Sequence, residues 1–151
     1  MQKMKNGLMM FCLTVLLSCA ALMMNATTAD AMGLADLQGD YRVVGTAKWL
    51  RDRGANNTGL IISWVYEGGE YLGKIKTIPQ GVDSNLLEPG DIVISNVYIE
   101  NGTAHCSLRY SYGNRRDNCY IKVLNNGTTL QIVDYEPIYT NESVAWKLQR
   151  M

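Results

Sequence analysis

From Gly39 onward, apolar and polar side chains alternate over short runs that end at glycine or asparagine, the period-two signature of strands with one buried face. The clearest unit is Gly59-Leu-Ile-Ile-Ser-Trp-Val-Tyr-Glu, then Gly68-Gly69, then Glu70-Tyr-Leu-Gly-Lys-Ile-Lys-Thr. Two glycines between alternating segments mark a tight hairpin, because the primed turns that match strand twist need positive φ. That turn sets Tyr66 opposite Tyr71, Trp64 opposite Gly73 and Ile62 opposite Ile75, while Ser63 and Ile61 share the other face with Lys74 and Lys76. Gly73 opposite Trp64 leaves room for the indole on a curved sheet.

The same arithmetic at Asn101-Gly102 pairs Ile99 with Ala104, Val97 with Cys106, Ser95 with Leu108 and Val93 with Tyr110, all predicted to face inward. At Asn126-Gly127 it pairs Val123 with Leu130, Ile121 with Ile132 and Cys119 with Asp134, and turns Lys122 and Gln131 outward. A first strand from Gly39 to about Thr46, with alternation carrying on toward Leu50, and a last from Ser143 to Arg150 complete the set. No regular helix is predicted. The pattern therefore predicts an all-β fold, an antiparallel meander barrel of about eight strands in which pairing the first with the last hides both edges. A two-sheet sandwich is the alternative.

The first thirty residues break this pattern. Lys3 and Lys5 precede an apolar run from Gly7 to Met24, and Ala29-Asp30-Ala31 supplies a small-residue cleavage site, which reads as a signal peptide over 1–31 and a barrel domain over 32–151. The expected location is periplasmic or secreted. Two readings compete: an uncleaved anchor, since the run approaches the length of a membrane span, and a lipoprotein processed at Cys19, since Leu16-Leu17-Ser18-Cys19 resembles a lipobox. Cleavage after Ala31 leaves Cys106 and Cys119 in an oxidising compartment, on inward registers of consecutive strands, where a disulfide is expected. Such a staple closes a short loop and adds about 2–3 kcal/mol on the chain-entropy account.

Charge changes the picture little. Fourteen basic and fourteen acidic residues balance, so no field of one sign points to nucleic acid or anionic lipid. Arg51-Asp52-Arg53 and Arg115-Arg116-Asp117 each carry their own counter-charge and read as solvated loop clusters. His105 falls on the outward register opposite Tyr98 with no ligand spacing around it, so no metal or triad is predicted. Asp134 points inward near a barrel end and reads as a satisfied structural acid or a partner for arginine. No phosphate loop or nucleophile elbow appears, and no cofactor is expected. The aromatic set is the suggestive feature, because every aromatic after Ala31 is Tyr or Trp. Tyr41, Trp64, Tyr66, Tyr71 and Tyr110, all predicted inward, form either a ligand lining at one mouth or simply the core.

Gly39-Asp40-Tyr41, the run Leu60-Ile-Ile-Ser-Trp-Val-Tyr-Glu-Gly-Gly-Glu-Tyr-Leu-Gly-Lys-Ile-Lys after Gly59, the stretch Asn125-Asn-Gly-Thr-Thr-Leu-Gln-Ile-Val-Asp-Tyr and the closing Trp146-Lys-Leu-Gln-Arg resemble small exported bacterial proteins of unknown function with lipocalin-like barrels. Tyr41 stands where that pattern carries tryptophan, and the cysteine pair is not a feature of every member. The resemblance implies a barrel with a conical interior and transfers no catalytic residue. The expectation is a non-catalytic exported barrel that binds a small apolar or amphipathic ligand at its mouth. The alternative is a protein-binding module, for instance an inhibitor of an extracytoplasmic enzyme.

Overall fold

A computed structural model describes residues 33–111, 113, 115–136 and 142–151; the stretch 1–31 expected to be a signal peptide, with Cys19 in it, lies outside the described residues. The strands are β1 (Gly39–Thr46), β2 (Ile61–Glu67), β3 (Glu70–Thr77), β4 (Ile92–Glu100), β5 (Thr103–Leu108), β6 (Asp117–Leu124), β7 (Thr129–Asp134) and β8 (Val144–Arg150). Each pairs antiparallel with the next, and β8 returns to β1, so the sheet is a closed barrel. Closure leaves no strand at an edge.

The predicted extension of β1 toward Leu50 does not occur. A four-residue helix, α1 (Lys48–Arg51), takes its place. Trp49 and Leu50 are adjacent and both buried in it.

The two ends of the barrel differ. At the hairpin end the chain reverses through Gly68-Gly69 and Asn101-Gly102, whose φ values of 62°, 85°, 50° and 74° are those of the primed turn. The third reversal is wider than its two predicted residues: Leu124 pairs with Thr129, and Asn125, Asn126 and Gly127 all take left-handed φ. Its register is unchanged, with Val123 on Leu130, Ile121 on Ile132 and Cys119 on Asp134. The loop end carries the long connections, including α1.

Two registers slip by one residue. Ile99 pairs with Ala104 as the turn requires, yet Leu108 faces Ile94, not Ser95. Asn96, at φ 51°, sits in the bulge that absorbs the extra residue. Val93 correspondingly receives the Arg109 amide instead of facing Tyr110. On β2–β3, Ile62 meets Ile75 as predicted but Ile61 pairs with Thr77, past another irregularity.

The barrel interior is built from large side chains. Trp64, Trp146, Tyr41, Ile62, Ile94 and Leu108 are among the fully buried ones, and Val97 packs against them. Gly73 does make room, though for a different neighbour than expected: a Cβ there would stand 2.9 Å from Cβ of Ile94 on the next strand. At the loop end one polar side chain joins three segments. Asn57, fully buried, donates from Nδ2 to the Tyr110 carbonyl (3.0 Å) and accepts the Trp146 Nε1–H at Oδ1 (3.2 Å).

Candidate functional site

The five aromatic residues expected to line a mouth are spread over both ends. Tyr41 plugs the hairpin end. Its hydroxyl donates to the Leu37 carbonyl at 2.9 Å, with the Gly127 carbonyl 3.3 Å away, and the Arg150 guanidinium lies 5.3 Å from the ring centroid. Arg150 also donates to the carbonyls of Asp36 (2.9 Å) and Gln38 (2.6 Å), so the last strand clasps the turn that precedes the first. Burial pushes the Tyr41 pKa up, against the pull of Arg150.

Trp64 lies within the core. Tyr66, predicted inward, is 56% exposed and stacks obliquely on half-buried Tyr71, with centroids 4.8 Å apart. The cause is local: β1 pairs with β2 only as far as Trp64, so the tip of the β2–β3 hairpin outreaches the closed wall. Tyr110 is at the opposite end, edge-on to Trp49 at 6.0 Å. No single lining unites these side chains.

Cys106 and Cys119 are directly opposite each other across β5 and β6, as the registers predict. They are not bridged: both are free, buried thiols. Burial pushes the Cys106 thiol up to about 12 and raises Cys119 as well, where Cys106, Asp134 and Asp117 add to the effect. Both are therefore protonated at neutral pH and weak nucleophiles.

A different aromatic group assembles on the outside of the barrel. Tyr98 on β4 pairs with His105 on β5, and His105 with Tyr120 on β6. Tyr135, one residue past β7, donates its amide to the Asn118 carbonyl (3.2 Å) and folds back over this row. Tyr98 stacks on His105 at 4.9 Å and 15°, His105 on Tyr135 at 5.6 Å and 20°, and Tyr135 tilts against Tyr120 at 5.0 Å. A hydrogen bond of 2.7 Å joins the Tyr135 hydroxyl and His105 Nδ1. The histidine thus sits between two tyrosine rings, and among the described residues no group of three His, Cys, Asp or Glu side chains is placed to hold a metal ion.

This row borders a cleft of about 410 Å³ lined by Asn96, Tyr98, His105, Cys106, Ser107, Asn118, Cys119 and Tyr135. A second cleft, of about 400 Å³, lies at the loop end between Trp49, Arg116, Asp117, Asn118, Asp134, Tyr135 and Glu136. Asn118 and Tyr135 line both, so the two clefts adjoin at the rim. A third, of about 440 Å³, lies over β2 and β3, where Lys74 pairs with Glu67 and Lys76 with Asp40. Trp64, Trp146, Tyr41, Ile62, Ile94 and Leu108 line none of the three.

At the rim, Asp134 is 7% exposed. Burial raises its pKa and the nearby Asp117 and Glu136 add to that, while the Glu136 amide, donating to Oδ1 at 2.8 Å, opposes it. Arg115 supplies the counter-charge to Asp117 at 3.6 Å, and Arg116 donates to Ser95 Oγ at 3.1 Å. In the other charged triplet Asp52 turns to Lys48 (2.6 Å), and Arg53 lies 5.7 Å from the Trp49 ring.

The sequence registers already contained most of the outer row. The Asn101-Gly102 turn places Tyr98 on His105, and the opposition of the two cysteines places the next residue of β6, Tyr120, on His105. Tyr135 lies beyond a strand end, where alternation carries no information. No family model, curated protein or solved structure matches the chain.

Proposed function

We propose that this chain is an exported, non-catalytic barrel that binds a partner protein at the adjoining clefts of the rim and of the outer face of β4, β5 and β6. One observation carries the reading. The apolar side chains that would enclose a small ligand pack into the interior, while two exposed tyrosines, Tyr98 at 52% and Tyr135 at 46%, stand with His105 beside a cleft on the outside. Exposed tyrosines flanked by side-chain amides are characteristic of protein-binding surfaces, since their rings add contact area at low entropic cost and their hydroxyls stay hydrogen-bonded.

Export by the segment 1–31 belongs to the same proposal, as does oxidation of Cys106 and Cys119 to a disulfide across β5 and β6. In that step a disulfide donor of the thiol–disulfide oxidoreductase class accepts two electrons and two protons as the S–S bond forms. Antiparallel neighbours stand about 4.5–5.5 Å apart at Cα, within the range a disulfide spans. Intact-mass measurement on protein from its own envelope tests both points at once: a chain starting at Met32 and lighter by two hydrogens is expected.

The binding reading is tested by affinity capture with the exported protein and its Tyr98→Ala and Tyr135→Ala variants, alongside native mass spectrometry. One stoichiometric protein partner, lost in both variants, is the expected result. A small molecule retained by the wild type and indifferent to both substitutions would overturn it.

A further inference from the structure

We infer that the bond between Cys106 and Cys119 is made before the barrel closes, by a catalyst of the thiol–disulfide oxidoreductase class, and that closure then locks the pair in whichever redox state it has reached. The inference rests on the export and oxidation proposed above. Both thiols belong to the inner face: Cys106 lies between Ala104 and Leu108 on β5, Cys119 beside Ile121 on β6, and the two residues are 4% and 1% exposed within the core. The ladder between the strands runs from Ala104 and Ile121 to Leu108 and Asp117 without an irregularity, so no bulge parts the wall there. The outer cleft borders both residues from the side of Tyr98 and His105, the face opposite to their side chains.

Disulfide exchange requires reach. One cysteine thiolate attacks the donor's disulfide, forming a mixed disulfide and releasing one donor thiol; the second thiolate then attacks the first cysteine's sulfur, closing the S–S bond and releasing the other donor thiol. Two electrons and two protons pass from the pair to the donor. The mixed disulfide carries the donor's bulk on a sulfur that is packed among Ala104, Leu108 and Ile121, where a close-packed interior has no room for it. Burial also keeps both thiols protonated. Reduction is barred in the same way, since it too needs a thiolate to reach a buried sulfur. The folded barrel holds the pair as free thiols, so closure does not wait for the bond.

Before closure the position reverses. β5 and β6 are consecutive, so their hairpin alone sets Cys106 opposite Cys119 while both of its faces are still in water. Domains dominated by such strand pairing fold in about milliseconds to seconds, whereas unassisted disulfide formation takes about seconds to hours. Spontaneous oxidation loses that race, which places a catalyst at the emerging chain.

The test uses the purified protein, reduced in guanidinium chloride and refolded without oxidant. Oxidised glutathione is then added across a guanidinium series and bridging is read by intact mass. Oxidation of the native barrel is expected to run about a thousandfold slower than that of the unfolded chain and to rise with the unfolded fraction, as for groups exposed only by global opening. A native rate within about tenfold of the unfolded one, or a slow rate that stays flat below the unfolding midpoint, would overturn the inference by showing a wall that opens locally. In a second arm a thiol–disulfide oxidoreductase is added either at the start of refolding or after it. Early addition should yield bridged protein and late addition reduced protein; equal yields would overturn the order. The two readings separate on protein from its own envelope. Reduced thiols there sink the oxidation itself, whereas bridged protein there together with equal yields in the second arm sinks the order alone.

Discussion

At the hairpin end the chain reverses in two to four residues, with ladder pairs carried up to each turn: Glu67 with Glu70, Glu100 with Thr103 and Leu124 with Thr129. The Leu37 and Gly127 carbonyls receive Tyr41, and Arg150 ties the last strand to the turn before the first. The loop end is held differently. Its long connections converge on one buried amide, Asn57, and on the rings of Trp49 and Tyr110. Ladder pairs that run up to each turn back up Tyr41 and Arg150 at the first end, while the second depends on a few side chains and is where the rim cleft lies. The connections that are long enough to shape the rim cleft also need bracing from inside.

The comparison breaks most readily at Asn57. Replacing it with alanine strands the Trp146 indole N–H and the Tyr110 carbonyl in the interior, a loss of about 2–6 kcal/mol given roughly 1–3 for each buried group left unpaired. Denaturant unfolding checks it. Gly73→Ala tests the packed wall between the ends: its new methyl meets Ile94, and overpacking of this kind costs about 1–3 kcal/mol. Tyr41→Phe removes one hydroxyl from a network with other members, so about 1 kcal/mol is expected. Should Tyr41→Phe prove costlier than Asn57→Ala, the contrast between the ends is wrong.

The smallest effect sharpens the electrostatics of the rim. The folded state holds the Asp134 pKa above its ordinary 3.8, so the charged form is disfavoured in the fold and reduces stability once pH exceeds that raised value. Asp134→Asn keeps an acceptor for the Glu136 amide and removes the charge. The variant should therefore melt higher than wild type at about pH 7, and the gap should close as pH falls through the raised pKa toward about pH 3, where the wild-type carboxyl is protonated in both states. A gap that persists unchanged at low pH would contradict this.

Most of the barrel was legible because glycine and asparagine marked the turns and a turn fixes every pair above it. The β4–β5 register escaped halfway for a clear reason. Ile92-Val93-Ile94 is apolar at three successive positions, so it satisfies either phase, and the bulge at Asn96 leaves no mark on alternation. Helix α1 was missed because four residues are too few to show a helical period. Tyr66 was assigned by parity alone, which tells the side of the strand but not whether the neighbouring strand reaches that far. Parity likewise names the inward side chains without telling whether their volumes fill the space, and on that the choice between a ligand cavity and a core turned. The row of Tyr98, His105 and Tyr120 was within reach of the register arithmetic, whereas Tyr135 joins it through tertiary packing.

Whether the interior is full is the point on which the outward placement of function stands. Xenon enters empty apolar cavities in proteins, and methyl and indole NMR signals of Ile62, Ile132, Trp64 and Trp146 report from inside the barrel. Under xenon pressure these signals are expected to show no saturable shift. A saturating response at Trp64 and Ile62 would reveal a vacant chamber and return the binding site to the interior.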